Sequence, residues 1–274
     1  MRTELVSEPG DRARPNEDFA AVALPASGQG GVAVLLDGVT PPAGETGCLH
    51  SVPWFTARLG GALTELAVSC PDVPLASILA LAITRTSEAH SHSCDLSHPR
   101  TPQATVVVVR WSEGGSPGSS QGGSKAAVEY LVLSDSVLLV ESGGGVVTAV
   151  LDDRLSRLPR ASLATDAIVD STVRNKEGGF FTAAADPAVA GRAVTGVFDR
   201  GAVRAVVALT DGASRWVEKF REGGWGDCFT FVRKEGAGAL VERVRELEAG
   251  DAEGRVFLGR SKTHDDASVV FVEL

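Results

Sequence analysis

Hydrophobic and polar positions along the chain fall into two periods that take turns. The runs "DFAAVALP" and "GVAVLLD" are short and rich in Val and Ala, and the "ASGQGG" between them predicts two paired strands joined by a Gly-rich turn. The next segments, "SVPWFTARLGGALTELAVS" and "LASILALAITRTSEAHS", space their apolar residues as helices do and are too long for strands. Strands resume in "ATVVVVRW" and "AAVEYLVLSD", separated by "SEGGSPGSSQGGS" (112–124), which has the composition of a flexible surface loop. A hairpin follows in "SVLLVESGGGVVTAV" and a helix in "SLATDAIVDSTVRN". The strand "VRAVVALTD" then leads into a helix over "GASRWVEKF", where Trp216, Val217 and Phe220 share one face. A last helix, "GALVERVRELEAG", and the strand "ASVVFVEL" complete the pattern. Helices inserted between blocks of hairpin-connected strands give an α+β chain with layers of sheet inside and helices outside. No repeat and no linker interrupts it, so one domain is expected over residues 1–274.

Composition narrows the setting. Hydrophobic residues make up 43% and charged residues 22%, ordinary for a globular protein, and no apolar run is long enough for a membrane span. The opening "MRTELVSEPGDRARPNED" is polar throughout, which does not read as a cleaved signal peptide, so the cytoplasm is the expected compartment. With 35 acids against 26 bases and no basic block interleaved with aromatics, neither nucleic acid nor a membrane is expected as a partner. Cys48, Cys70, Cys94 and Cys228 lie far apart with no C-x-x-C spacing, which predicts reduced thiols rather than a zinc ribbon or a disulfide scaffold.

Candidate chemistry sits at the strand ends. Asp37 and Asp211 each close a buried strand, Asp265 and Asp266 precede the last one, and Glu17 and Asp18 open the first. Carboxylates gathered at one sheet edge repel one another and are costly to desolvate unless a cation lies among them; all-oxygen donors suit magnesium, manganese or calcium. A plainer reading stands beside this one, with Asp37-Gly38 as a turn and Asp211 as a helix N-cap. The segment after Gly38, "VTPPAGETG", is no returning strand, which weakens the turn.

Taken in order, "RPNEDF", "LLDG", "LSDS", "LTDGAS" and "HDDASVVFV" resemble the motifs of the PPM-type (type 2C) metal-dependent protein serine/threonine phosphatases, over Arg14 to Val272. The resemblance implies a four-layer α-β-β-α sandwich, two central sheets flanked by helices, with a two-metal centre at one end. It implies that Glu17, Asp37 and the Gly38 carbonyl bind one Mg2+ or Mn2+, and that Asp37, Asp211 and Asp265 bind the other. Asp18 would support water at the centre, Asp135 would be an accessory acid, and Arg14, or less well Arg12, would grip the phosphate of a phosphorylated protein substrate.

The chain also departs from that pattern. The metal loop lacks the usual pair of glycines and the histidine that protonates the leaving group; Thr40 cannot serve, and His50 is the nearest replacement. Arg215 stands where an acid for a third metal is expected; either it supplies the missing positive charge itself or, the favoured reading, it forms an ion pair with Asp135. In "HSHSCDLSH", His90, His92, Cys94 and His98 do not have zinc-finger spacing and His90 and His92 are expected on different faces of a fraying helix end, so no transition-metal site is expected. Two functions follow: a protein phosphatase, or a phosphatase-like module of weak or absent catalysis that binds a phosphorylated partner.

Overall fold

In the computed structural model, which describes residues 1–114, 126–251 and 263–274, the strands form two five-stranded sheets. One runs in the order β1 (Thr3–Glu8), β10 (Ala267–Glu273), β9 (Val203–Leu209), β6 (Val137–Ser142), β7 (Val147–Val150). The other runs β2 (Phe19–Ala23), β3 (Gly31–Leu36), β4 (Val106–Ser112), β5 (Ala127–Leu133), β8 (Val194–Asp199). All neighbouring strands are antiparallel. Helices α1 (Val52–Ser69) and α2 (Leu75–Glu88) cover the outer face of the second sheet; α4 (Asp211–Glu218), α5 (Trp225–Glu235) and α6 (Ala237–Gly250) cover the first. A single helical turn, α3 (Asp166–Ile168), lies in the long connection after β7.

The sandwich explains why the strands read as continuous apolar runs. In β3, Val32, Val34 and Leu36 pack against Phe55, Leu59 and Ile78 of the helical layer, while Ala33 and Leu35 face Val107, Val206 and Val270 between the sheets. Burial on both faces removes the alternation that a half-exposed strand shows. Helix α1 starts where Ser51 Oγ accepts the Trp54 N–H, with Pro53 in its first turn.

Three elements were not expected. Strand β1 lies in the polar opening segment, β8 is the exposed edge of its sheet, and α5 is a short helix after "REGG". The helix expected over 162–175 is broken into a 3-10 turn, α3 and a wide turn at Val169–Val173, packed as a small cluster of Val169, Val173 and Phe180. Residues 115–124 of the Gly/Ser loop lie outside the described residues. Among the described residues no helix is long and apolar enough to cross a membrane.

Candidate metal centre

Antiparallel pairing brings five chain crossings to one edge of the sandwich. Phe19 lies opposite Leu36, Val106 opposite Leu133, and Leu209 opposite both Val269 and Val137. The acids just beyond these positions are Glu17, Asp18, Asp37, Asp135, Asp211 and Asp265. A cleft of about 400 Å³ opens there, lined by Asp37, Gly38, Thr40, Asp135, Asp211 and Asp265 among others.

Asp37 is fixed by its backbone: its N–H donates to Thr105 Oγ1 (3.2 Å) and its carbonyl accepts the Thr105 N–H (2.9 Å). Its Oδ2 accepts the N–H of Asp211 at 3.3 Å, at the positive end of α4. Burial and then the charges of Asp211, Asp18, Asp135 and Asp265 raise the Asp37 carboxyl well above the usual carboxylate range. Burial, with Asp265 and Asp135, pushes Asp211 up to about 7 against the opposing charge of Arg215. Gly38 is packed so closely on the preceding acid that a β-carbon there would stand 2.5 Å from the Glu17 carbonyl and run into Val52. Glu17 in turn accepts a hydrogen bond from the Thr40 hydroxyl, and its backbone N–H donates to Asp266 Oδ2 at 2.7 Å.

Asp18 is the most telling of these acids. Its Oδ2 accepts from Ser268 Oγ (2.7 Å) and Thr210 Oγ1 (3.0 Å), while its buried Oδ1 has no hydrogen-bond partner among the described residues. Burial pushes this carboxyl up to about 8 despite the two hydroxyls, with the Asp211 and Asp266 charges adding to the rise. Acids held apart from water, repelling one another and leaving a buried oxygen unmatched fit a hard divalent cation, for which every donor present is oxygen.

The remaining expectations divide. Asp135 faces the same cleft, its carboxyl raised by burial and by Asp152 and lowered in part by Arg174. Arg14 lines an adjoining groove with Glu17, Thr40 and Asp265; Arg12 does not line it. Asp266 is a clamp on the amino-terminal segment, its Oδ1 accepting the Gly10 N–H at 2.8 Å. Arg215 corrects its expectation: instead of Asp135, its guanidinium holds Glu248 and Asp265, the latter at 3.0 Å. His50 packs on Trp54 and near Cys94, outside both grooves. Thr40 and Arg174 carry no motif signal; only the pairing of sheets and the folding-back of residues 169–180 bring them to the cleft.

No protein-family model and no curated protein matches the sequence. Solved structures do. The serine/threonine phosphatase Stp1 from Staphylococcus aureus aligns over 99% of this chain and 94% of its own at a TM-score of 0.59 and 12% identity. The PPM Ser-Thr phosphatase MsPP from Mycobacterium smegmatis, in complex with cacodylate, aligns over 100% and 98% at 0.56 and 17%. The Mycobacterium tuberculosis phosphatase PstP/Ppp aligns over 100% and 98% at 0.58 and 15%. The chain therefore has the PPM phosphatase fold, in a sequence that has diverged far from these proteins.

Proposed function

We propose that the chain is a Mg2+- or Mn2+-dependent phosphatase that hydrolyses phosphoserine or phosphothreonine in proteins. The observation that carries this reading is the gathering of Glu17, Asp37, Asp211 and Asp265 around Gly38, beside the unmatched oxygen of Asp18. Glu17, Asp37 and the Gly38 carbonyl would hold one ion, and Asp37, Asp211 and Asp265 the other. Two such ions, when bound, supply a water nucleophile at neutral pH and neutralise charge on the phosphate. Asp18, tethered through Oδ2, would leave Oδ1 to accept a hydrogen bond at the centre. Arg14, which lines a groove with Glu17, would donate to phosphate oxygens there.

One observation favours the second reading, a phosphatase-like module of weak catalysis: the Arg215 cation already occupies one oxygen of Asp265. A manganese titration of aryl-phosphate and phosphopeptide hydrolysis, beside Asp37→Asn and Asp211→Asn, separates the two. The phosphatase reading expects metal-dependent turnover that both substitutions abolish. Divalent binding without turnover supports the module, and turnover that survives both substitutions overturns the proposed centre.

A further inference from the structure

Outside the carboxylate centre, one cluster of side chains has the composition of a ligand set. Cys48 and His50 come from the loop between β3 and α1, and His90 and Cys94 from the turns after α2. Their candidate ligand atoms all lie within 4.8 Å of one another. Cys48 Sγ is 3.3 Å from His90 Nδ1, 3.8 Å from His50 Nδ1 and 3.1 Å from Cys94 Sγ, and Cys94 Sγ is 3.4 Å from His50 Nδ1. Tetrahedral zinc, bonded to sulfur at about 2.3 Å and to imidazole at about 2.0–2.1 Å, holds its ligand atoms about 3.4–3.8 Å apart. The three sulfur–nitrogen separations lie close to that range, and the sulfur pair has to open by about 0.7 Å to reach its upper end.

We infer that Cys48, His50, His90 and Cys94 form a closed Cys2His2 site for Zn2+, which pins the loop carrying Thr40 to the end of α2. The spacing of His90, His92, Cys94 and His98 conceals it, because two of those four residues do not take part and the other half of the set lies over forty residues earlier.

Three features beyond proximity support the site. Each sulfur receives a backbone amide, His50 N–H to Cys48 Sγ at 3.4 Å and Leu49 N–H to Cys94 Sγ at 3.3 Å, which favours thiolate over thiol. The imidazoles are held by Trp54, whose ring lies 4.0 Å from His50 and 5.2 Å from His90. The two loops are also joined through their backbones, Asp95 N–H donating to the Gly47 carbonyl at 2.7 Å, and the left-handed Gly47 sits against His98 where a β-carbon would collide. Binding replaces two thiol protons by one Zn2+, so two thiolates, two neutral imidazoles and the ion sum to zero charge, a balance suited to a partly buried site.

This site shares no residue with the carboxylate centre, and it stands whether or not the chain is a phosphatase. The two donor sets also sort metals: thiolate and imidazole select zinc, while carboxylate and carbonyl suit magnesium or manganese. Its place in the fold gives it a task. The clamped loop runs from Gly38 to Ser51, and Thr40, Pro41, Ser51 and Pro53 form a wall of the Arg14 groove.

Cobalt tests the inference on the intact chain. Full-length protein stripped with chelator under reducing conditions and titrated with Co2+ should develop thiolate-to-cobalt charge-transfer absorption and intense tetrahedral bands, reversed by one equivalent of Zn2+. The charge-transfer band cannot come from an all-oxygen centre. Cys48→Ser and Cys94→Ser should each weaken zinc binding by more than about 100-fold, beyond what loss of an outer-shell partner costs, while His92→Ala should bind as the parent does. Hydrogen exchange in the parent should quicken at 39–50 and 89–95 on chelation, with α6 unchanged. Absence of the charge-transfer band in the folded parent overturns the site, as does a Cys48–Cys94 disulfide that persists under the reducing conditions used.

Discussion

The Arg215 guanidinium reaches Asp265 at 3.0 Å while it is held from behind by Glu248, whose side chain is wholly buried. A positive charge thus stands beside one proposed ligand of the second ion. Arg215→Gln should raise Mn2+ affinity at least roughly tenfold, since a unit charge a few ångströms from a divalent ion costs more than a kilocalorie even in a screened site. It should also lower stability by about 3 kcal/mol, because among the described residues Glu248 keeps Arg245 and His264 as partners. Calorimetric Mn2+ titration and urea denaturation read the two effects; unchanged metal affinity would show that Arg215 does not bear on the centre.

Asp18 offers the complementary case. Its carboxyl, pushed up to about 8, is mostly protonated at neutral pH without metal. Asp18→Asn therefore replaces one neutral group by another. In chelator the variant should stay within about 1 kcal/mol of the parent, since both hydroxyl donors keep an acceptor. With Mn2+ it should gain much less thermal stability than the parent does. A variant that collapses in chelator, or gains as much from Mn2+, contradicts this account of Asp18.

Much of this centre was legible because acids at strand ends mark the same edge whatever the details of packing. Asp37 and Asp211 follow long apolar runs, and the strand pairing does the rest. Strand β1 was not legible, since an edge strand with Thr3, Glu4, Ser7 and Glu8 among its six residues, and Leu5 exposed, has too few apolar positions to show its period. Strand β8 hides for the same reason, with Gly196 packed against Tyr130 where a larger side chain would fit poorly. The Arg215 partners and the Cys48–His90 contact were out of reach in another way. Both join residues more than thirty positions apart through side chains, and no local period carries that information.

Proton linkage sets the pH behaviour of the metal-free protein. Asp18 and Asp211, at about 8 and about 7 in the folded chain, titrate near 3.9 when unfolded. The folded state binds more protons between those values, so their contribution to stability is complete below pH of about 4 and is lost as pH rises through about 7 to 8. In chelator the melting temperature should fall by at least roughly 5 °C between pH 6 and pH 8.5, the shift of a loss of about 2 kcal/mol in a domain of this size. Saturating Mn2+ should flatten the dependence. A melting temperature that rises over this range in chelator would refute the assignment.

Two glycines give a paired test of packing at the centre. Gly38→Ala places a β-carbon against the Glu17 carbonyl, a backbone atom that cannot turn aside, and should cost about 1–3 kcal/mol together with most of the Mn2+ affinity. Gly61, on α1, has open space around its would-be β-carbon, so Gly61→Ala should stabilise by up to about 1 kcal/mol and leave metal binding alone. Equal effects at the two positions would separate Gly38 from the metal centre.

The arginines near the acids have different tasks. Arg14 lines the groove with Glu17 and Asp265, and its guanidinium has no ion pair with a described residue. Arg174 lines the carboxylate cleft itself, in an ion pair with Asp170 at 3.4 Å and stacked over Phe180. Among the described residues that line these grooves, a guanidinium without a carboxylate partner is better suited to a phosphate dianion, where two parallel N–H donors match two oxygens. Arg14→Ala should therefore raise KM for a phosphopeptide at least roughly tenfold, a loss of about 1.4 kcal/mol, with kcat changed less. Arg12→Ala should stay within about twofold of the parent, because Arg12 does not line the groove. Arg174→Ala should reveal itself in stability, through the Asp170 pair and the Phe180 contact, before it does so in KM. Steady-state kinetics on the three variants decide the matter: a KM effect at Arg174 or Arg12 with none at Arg14 would overturn Arg14 as the phosphate contact.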